Sequence, residues 1–504
     1  MSALPDWLEG LPDAERMRAT DRWAIEERGI AGLELMERAG AGLASLAAEV
    51  APEGTVAIVC GKGNNGGDGY VAARLLRETG RDVRVLATAP AGELQGDARA
   101  NAERLPGPPA EPFAAAALDG AAFAVDAVLG TGFSGEPRGA VAEAIAALND
   151  WEGAVVACDV PSGVDASTGA VAGAAVHAVA TATFAAGKPG LWIAPGKAHA
   201  GAIRVIDIGI PPGAPVPAPG IGLIHDAPIL ALVPRRRPGW TKFTSGHVLV
   251  AGGARGLSGA PCLAAEAAQR AGAGYVTACV PASLEPIFEV RLLEVMTRGL
   301  PDAEGAHTAA GADTVLELAG RGGAIVAGPG LGRTDGAVAF VRRVVADADL
   351  PLLLDADGLN AYAGDLGALA ARDAPTVLTP HEGELGRLLG VDSEAVKARR
   401  LQHARAAARE AQAIVVLKGD DTLVAEPGGT VAVSPGASAA LATAGTGDVL
   451  SGVVATMLAR GVDPFPAACA GVRLHARAGV RAAGEKGVDG VIARDVIEAL
   501  PHAW

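Results

Sequence analysis

Short β-branched runs alternate with longer Ala- and Leu-rich stretches along the whole chain, and almost every cluster of Gly and polar residues falls where a run ends. The runs cover 56–60, 83–87, 124–129, 154–159, 180–184 and 203–208, then 247–251, 275–280, 324–327, 352–355, 376–379, 414–417 and 422–425. That alternation is the βαβ signature of a parallel sheet covered by helices on both faces. Open sheets of this kind bind ligands at the carboxyl ends of their strands. The expected fold class is therefore α/β, and 504 residues suffice for two such domains, each a three-layer αβα unit. The segment 211–220 (PPGAPVPAPG) has no charge and no periodicity and reads as a semi-rigid linker. The expected division is 1–212 as the first domain, 213–224 as proline-rich linker and 225–504 as the second domain.

Composition narrows the function. Lys plus Arg number 42 against 57 Asp plus Glu, a net charge of −15 that repels phosphate backbones and argues against nucleic-acid partners. A phosphate ligand must then be held locally, by backbone N–H groups and a few lysines. The five cysteines (Cys60, Cys158, Cys262, Cys279, Cys469) are scattered with no CxxC pair, so neither a disulfide framework nor a zinc site is indicated. Residues 1–20 carry Asp6, Glu9, Asp13 and Glu15 and lack the apolar stretch of a signal peptide, and 170–186 is too broken by His177 and threonines to span a membrane. A soluble, reduced, cytoplasmic protein without membrane contact is expected, with Ala-rich helices that leave room for homo-oligomer packing.

In the first half, CGKGNNGGDG (60–69) joins the run VAIVC to the helix YVAARLLRETG. Five glycines in ten residues are expected to serve close approach of a ligand rather than packing, with a helix N-terminus offering free N–H groups to an anion. The run fits neither GxxxxGK[ST] nor GxGxxG. Asp126 lies in VDAVLG before GTGFSGEPRG (130–139), and Asp159 ends AVVACDV before PSGVD, where Pro161 and Gly163 force a turn. A lone strand-end Asp is usually a cap or turn former. Loops of this kind at neighbouring strand ends suggest a shared site.

GNNGGDG, VDAVLGTGFSGEPRG and DVPSGVDASTG resemble the motifs of the NAD(P)H-hydrate epimerase domain, a Rossmann-like fold, over about residues 15–210. The resemblance implies that Asn64, Asn65, Gly66, Gly67 and Asp68, together with Gly130, Thr131, Gly132, Phe133, Ser134, Gly135 and Glu136, bind the hydrated dinucleotide. It implies that Asp159 contacts substrate and does acid/base work, and that Asn65, Asp126 and Ser162 hold K+, a hard cation suited to oxygen ligands. Lys188, in FAAGKPG, could sit near the site, but a surface lysine is the expected reading.

In the second half GPGLG (328–332), TPHEGE (379–384) and KGDDT (418–422) follow strands, and GTGD (445–448) opens the helix VLSGVVATMLARG. The GTGD amides can stabilise charge on a transferred phosphoryl group, and Asp448 can take the proton of an attacking hydroxyl. An Asp in a first helical turn is also a routine dipole partner. With GLSGAPCLAAEAAQRAGAGYVT (256–277) and LDADGLN (354–360), these segments resemble the ribokinase-like fold and within it the ADP-dependent NAD(P)H-hydrate dehydratases, over about residues 225–500. Carried over, Ala260, Gly330, His381 and Asp448 line the hydrate site. Lys418, Gly419, Asp420, Asp421, Thr422 and Gly447 bind ADP, which enters with Mg2+. His381 could instead be a helix-entry histidine bonded to backbone. Residues 438–444 are Ala-rich where the family has more Gly, and Ala444 stands where a Gly usually precedes GTGD.

The fusion itself points to nicotinamide nucleotide repair. A chiral pocket dehydrates only one of the two hydrate isomers, and an epimerase on the same chain supplies the other. The alternative is a small-molecule kinase with an N-terminal nucleotide-binding scaffold, since the fold and GTGD serve both. The substrates expected are small molecules, hydrated NADH or NADPH and ADP.

Overall fold

The computed structural model describes residues 4–217 and 220–504; positions 218 and 219, within the proline-rich segment, and 1–3 lie outside the described residues. The described chain divides into two compact units, Gly10–Gly222 and Leu223–Trp504, with Pro5–Glu9 joining the second.

The first unit is built on a seven-stranded sheet. From edge to edge its strands are Glu111–Pro112, Val83–Ala87, Val56–Cys60, Phe123–Ala127, Ala154–Cys158, Ala180–Phe184 and Ala202–Ile206. Each adjacent pair is parallel. Val56–Cys60 is buried at every position because both faces of the sheet are covered. Its alternate side chains enter two separate cores. Val56, Ile58 and Cys60 pack with Leu35, Ala39 and Leu43 of the helix Gly32–Val50, whereas Ala57 and Val59 pack with Ala144, Ile145 and Leu148 of the helix Ala140–Asp150. Three layers follow. The chain reverses its direction across the sheet between Val56–Cys60 and Phe123–Ala127, which opens a crevice at the carboxyl ends of those two strands.

The second unit carries an eleven-stranded mixed sheet. Its order is Leu8–Gly10, Ile221–Ile224, Val431–Val433, Leu423–Ala425, Ile414–Leu417, Thr376–Leu378, Leu352–Leu354, Ala324–Ala327, His247–Ala251, Tyr275–Pro281 and Met296–Leu300. From Ile414–Leu417 to Met296–Leu300 the pairing is parallel, while Leu423–Ala425 and Val431–Val433 form an antiparallel continuation. Here too the order reverses at one strand, His247–Ala251, flanked by Tyr275–Pro281 and Ala324–Ala327. The helix Thr446–Ala459 crosses Gly259–Arg270 closely: a Cβ on Gly452 would come 2.1 Å from the Ala264 carbonyl.

The linker ends earlier than expected. Residues 221–224 are the strand Ile221–Ile224, because an apolar IGLI segment can complete a sheet edge where the prolines before it cannot donate to a ladder. All five cysteines are free and buried. Among the described residues no helix is long and apolar enough to cross a membrane.

Candidate active sites

In the first unit the segment Cys60 to Gly69 is not a loose glycine loop. The helix starts at Asn64 rather than at Tyr70, so Asn64 to Asp68 form its opening turns. Most of the glycines are sterically obliged. A Cβ on Gly66 would lie 1.9 Å from the Gly61 carbonyl oxygen, one on Gly61 2.0 Å from the Val128 oxygen, and one on Gly69 2.7 Å from Ala127. Packing therefore accounts for glycines expected to serve a ligand; Gly63, with open space about its Cβ position, is the exception.

Asp159 follows the strand Ala154–Cys158 at φ 64°, a left-handed conformation costly for a non-glycine residue and characteristic of functional sites. Its Oδ2 accepts hydrogen bonds from the Thr131 amide (2.9 Å) and hydroxyl (2.6 Å). Its Oδ1 lies 2.7 Å from Lys188 Nζ, which also donates to Thr183 Oγ1 (2.8 Å) and the Phe184 carbonyl (2.8 Å). Burial pushes the Asp159 carboxyl up, but the Lys188 ammonium and the Thr131 bonds outweigh it and hold the group below its ordinary value. Lys188 is only 1% exposed, so the surface expectation is wrong: its stem follows a fully buried strand, and its charge is tolerated because three oxygens receive it.

Behind Asp159, Ser162 donates to Asp126 Oδ1 from its hydroxyl (2.6 Å) and to Oδ2 from its amide (2.8 Å), and the Leu129 amide donates to Ser162 Oγ (2.8 Å). Asn65 Nδ2 donates to the Leu129 carbonyl (2.9 Å), which leaves Asn65 Oδ1 buried with no partner. Burial raises the Asp126 carboxyl to about 6 against its Ser162 and Val128 bonds. An orphaned amide oxygen, a hydroxyl and a buried carboxylate brought together around Leu129 fit a hard monovalent cation.

Asp159, Thr131, Lys188 and Asn65 border a cavity of about 760 Å³, with Asp126 and Ser162 outside its lining. Asn64, Asn65, Asp68, Gly130, Thr131, Gly132, Phe133 and Asp159 line it, whereas Gly66, Gly67, Ser134, Gly135 and Glu136 do not. Gly130 is required there, since a Cβ would lie 2.9 Å from Asn65 Oδ1 and 3.1 Å from Asp159 Oδ2. Asp21 and Lys188 line the same cavity; the motifs pass over Asp21 and leave Lys188 as a surface residue. The apolar strand ATATF before FAAGKPG could have flagged Lys188; nothing in the sequence flags Asp21.

In the second unit four strand ends meet. Asp355, at the end of Leu352–Leu354 and 1% exposed, accepts from Lys418 Nζ (3.0 Å) and from Ser451 Oγ (2.7 Å). Lys418 Nζ also lies 3.6 Å from Glu384. Burial works against the Lys418 charge, yet these two carboxylates hold it above its usual value. A Cβ on Gly447 would sit 3.5 Å from Lys418 Nζ, so the lysine lies against the GTGD turn. Asp448, in the first turn of Thr446–Ala459, is pushed up to about 7, chiefly by burial and then by Asp355. Gly330, at φ 63°, approaches Ala260: its Cβ would lie 3.4 Å from the Ala260 methyl.

Two expected ligand residues are turned to structural duty. His381 caps the helix Glu382–Leu389: its Nδ1 accepts from the amides of Gly383 (3.0 Å) and Glu384 (3.4 Å), the backbone-bonded alternative, with the side chain still half exposed. Asp421 points inward to the buried Arg400, 3.0 Å from Nε and 2.9 Å from Nη2, so its carboxylate anchors the 418–422 loop instead of facing a ligand. Gly419 and Asp420 are exposed, and Thr422 Oγ1 donates to the Gly419 carbonyl (2.7 Å).

A family model described as NAD(P)H-hydrate dehydratase matches residues 248–502, and one described as YjeF-related protein N-terminus matches 32–190. A bifunctional NAD(P)H-hydrate repair enzyme from Moorella thermoacetica is 39% identical over 509 residues, covering 98% of this chain and 96% of that one. The chain belongs to the bifunctional NAD(P)H-hydrate repair enzyme family. A member from Escherichia coli K12 is 32% identical, with 97% and 92% of the two chains covered. A solved ADP/ATP-dependent NAD(P)H-hydrate dehydratase from Bacillus subtilis, co-crystallised with ATP and Mg2+, is 29% identical and covers 56% of this chain and 96% of its own, with a TM-score of 0.47. Both matched regions contain their site: Asn65, Asp126, Asp159 and Lys188 lie within 32–190, and Asp355, Lys418 and Asp448 within 248–502.

Proposed function

We propose that the first unit interconverts the R and S forms of hydrated NADH or NADPH, and that the second restores the S form to NAD(P)H at the expense of ADP, releasing AMP and phosphate. The observation that carries the second half is Asp448, a carboxyl at a helix N-terminus that burial and Asp355 push up to about 7, with the half-buried Lys418 against the same turn.

Expelling the ring hydroxyl directly is slow, because its parent water has a pKa of about 15.7. Phosphate, whose second pKa is near ~6, leaves far more readily. Asp448 takes the hydroxyl proton while the hydroxyl oxygen attacks the β-phosphorus of ADP, and the bond to the AMP oxygen breaks. Backbone amides of Gly445, Thr446 and Gly447 stabilise the charge on the transferred group, with Lys418 beside them. The C–O bond then breaks as the ring-nitrogen electrons push phosphate out, and loss of a ring proton restores the double bond. Mg2+ held with the nucleotide would supply positive charge to its phosphates, and Gly419 and Asp420 present the exposed face of the 418–422 loop.

In the first unit, Asp159 is the ionised group facing the substrate, and the 64–68 and 130–133 segments bind the dinucleotide. Asn65, Asp126 and Ser162 would hold K+, supported by the unpartnered Asn65 Oδ1. Bound there, the ion supplies a positive charge that balances Asp126.

A cofactor-rescue assay tests the whole reading. The protein is mixed with both isomers of hydrated NADH, Mg2+, K+ and either ADP or ATP, and dihydronicotinamide absorbance is followed. Recovery of both isomers with AMP formed from ADP is expected. Recovery of one isomer alone refutes the epimerase half, and no recovery with a phosphorylated product refutes the dehydratase half in favour of a kinase.

A further inference from the structure

Three carboxylates, Asp21, Asp68 and Asp159, share the wall of the first unit's cavity with Lys188. The lysine is fully committed: its three donors go to Asp159, Thr183 and the Phe184 carbonyl. Asp21 projects from the helix Ala14–Glu26, is half-buried, and makes no ion pair among the described residues. Burial raises its carboxyl to about 6, Lys188 working against that rise and Asp159 adding to it. Asp159 is pushed the other way. Two carboxyls in one cavity driven apart in this manner mark an acid and a base. Asp68 is also raised, by burial and then by Asp159, but it lies buried in the opening turns of Asn64–Glu78, whereas Asp21 retains contact with solvent through which a proton can be replaced.

We propose that Asp21 is the general acid of the epimerase reaction and Asp159 its partner base, an inference that rests on the epimerase reading given above. In the hydrated ring the hydroxylated carbon is bonded to the ring nitrogen. Asp21 gives its proton to the hydroxyl oxygen, the C–O bond breaks with its electron pair leaving as water, and the nitrogen lone pair forms a C=N+ bond. Water then adds to the opposite face of that planar carbon. Its lone pair makes the new C–O bond, and one of its protons passes to Asp159. Exchange with solvent returns the proton from Asp159 to Asp21, so the cycle closes with no net consumption.

The charged groups that share the cavity wall with Asp21 are Asp159, Asp68, Lys188, Asp97, Arg138 and, one turn earlier on its own helix, Arg18; Lys188 and Asp159 act on its carboxyl most strongly. Lys62 and Glu93, also on the wall, pair with each other at 3.5 Å. An acid must be protonated to act, so kcat for R-to-S conversion falls as pH rises through the Asp21 titration.

The test measures conversion of the R isomer by the full chain without ADP, resolved chromatographically and corrected for the spontaneous rate, across pH. Asp21→Asn is expected to lower kcat by about 10²–10⁴-fold, to leave KM and S-isomer dehydration within about twofold, and to abolish the falling limb. Asp21→Glu should restore both activity and limb in part, a rescue that a merely structural role would not give. The proposal is overturned if Asp21→Asn stays within about threefold of the parent kcat, if it keeps the limb, or if Asp68→Asn alone removes it. An unmutated chain that converts no R isomer would instead refute the epimerase reading itself.

Discussion

Replacing Lys188 with Met removes the ammonium from the most buried ion pair of the first unit and leaves Asp159 in place, 9% exposed and without its cation. Thr131 still donates twice to the carboxylate, but hydrogen bonds alone do not offset the burial of a charge. Breaking such a pair from one side costs about 3–5 kcal/mol. At roughly 2–4 °C per kcal/mol for a unit of this size, the melting transition of the first unit should fall by roughly 6–20 °C at neutral pH. The pH dependence has a definite sign. In the intact protein Asp159 is held low, so the pair stabilises above the unfolded carboxyl value of about 3.9 and that contribution is lost as pH falls through the folded value. In Lys188→Met burial dominates and the folded carboxyl moves above the unfolded one, so the variant instead loses stability as pH rises. The deficit should therefore be widest near pH 7 and narrow toward pH 4. Scanning calorimetry of the full chain reads this, with the transition of the second unit as internal control. Lys188→Met/Asp159→Asn should regain much of the loss, because no charge is then left buried. A shift under about 2 °C, or a double variant no better than the single one, would refute the ion-pair argument.

Asp448→Asn should lower dehydration of the S isomer by about 10²–10⁴-fold while R-to-S conversion persists, measured by absorbance recovery and by chromatography on the same sample. Gly66→Ala forces a methyl within 1.9 Å of the Gly61 carbonyl, so the first unit should lose about 1–3 kcal/mol in calorimetry together with most of its epimerase activity. Arg400→Met removes the buried guanidinium that pairs with both Asp421 and Glu382 and loosens the 418–422 loop: the second unit should lose about 3–5 kcal/mol, with KM for the nucleotide rising more than KM for the hydrate.

The central strands were legible because a strand covered on both faces is an unbroken apolar run, as in VAIVC or AIVA, and the periodicity needs no partner to be seen. Edge elements were not. Met296–Leu300 (MTRGL) is largely exposed, and Leu8–Gly10 becomes a strand only because distant chain supplies its neighbour. Motifs located the strand-end acids correctly but could not say which way each side chain turns. Asp420 and Asp421 look equivalent in KGDDT, yet the second is drawn inward by Arg400, 21 residues earlier in the chain. Glycines were misread for the same reason: Gly63 and Gly66 differ only in what lies beside their absent Cβ atoms. Lys188 shows the limit most clearly, since a lysine reads as surface until its acceptors are seen.

Both sites pair a lysine with strand-end carboxylates, and the pairing decides what each carboxylate can do. In the first unit the lysine is bonded to the working acid group itself, and Asp159 is held ionised. In the second the lysine is bonded to Asp355, and its lowering effect on Asp448 is outweighed by burial and by Asp355's negative charge, so Asp448 rises to about 7. A base titrating there matches general-base work near neutrality, and dehydration should gain rate as pH climbs through that value. Asp355→Asn separates the two contributions. It removes the second-largest cause of the Asp448 rise, and it releases Lys418, already against Gly447, to attract Asp448 directly. Both changes act in the same direction, so the rising limb of kcat should move to lower pH, while the maximal rate falls because Ser451 and Lys418 lose their common anchor. A pH–rate profile for the S isomer at saturating ADP measures it. A limb that stays where it was, or that moves to higher pH, would mean that Asp448 does not report this field and is not the group whose ionisation controls the reaction.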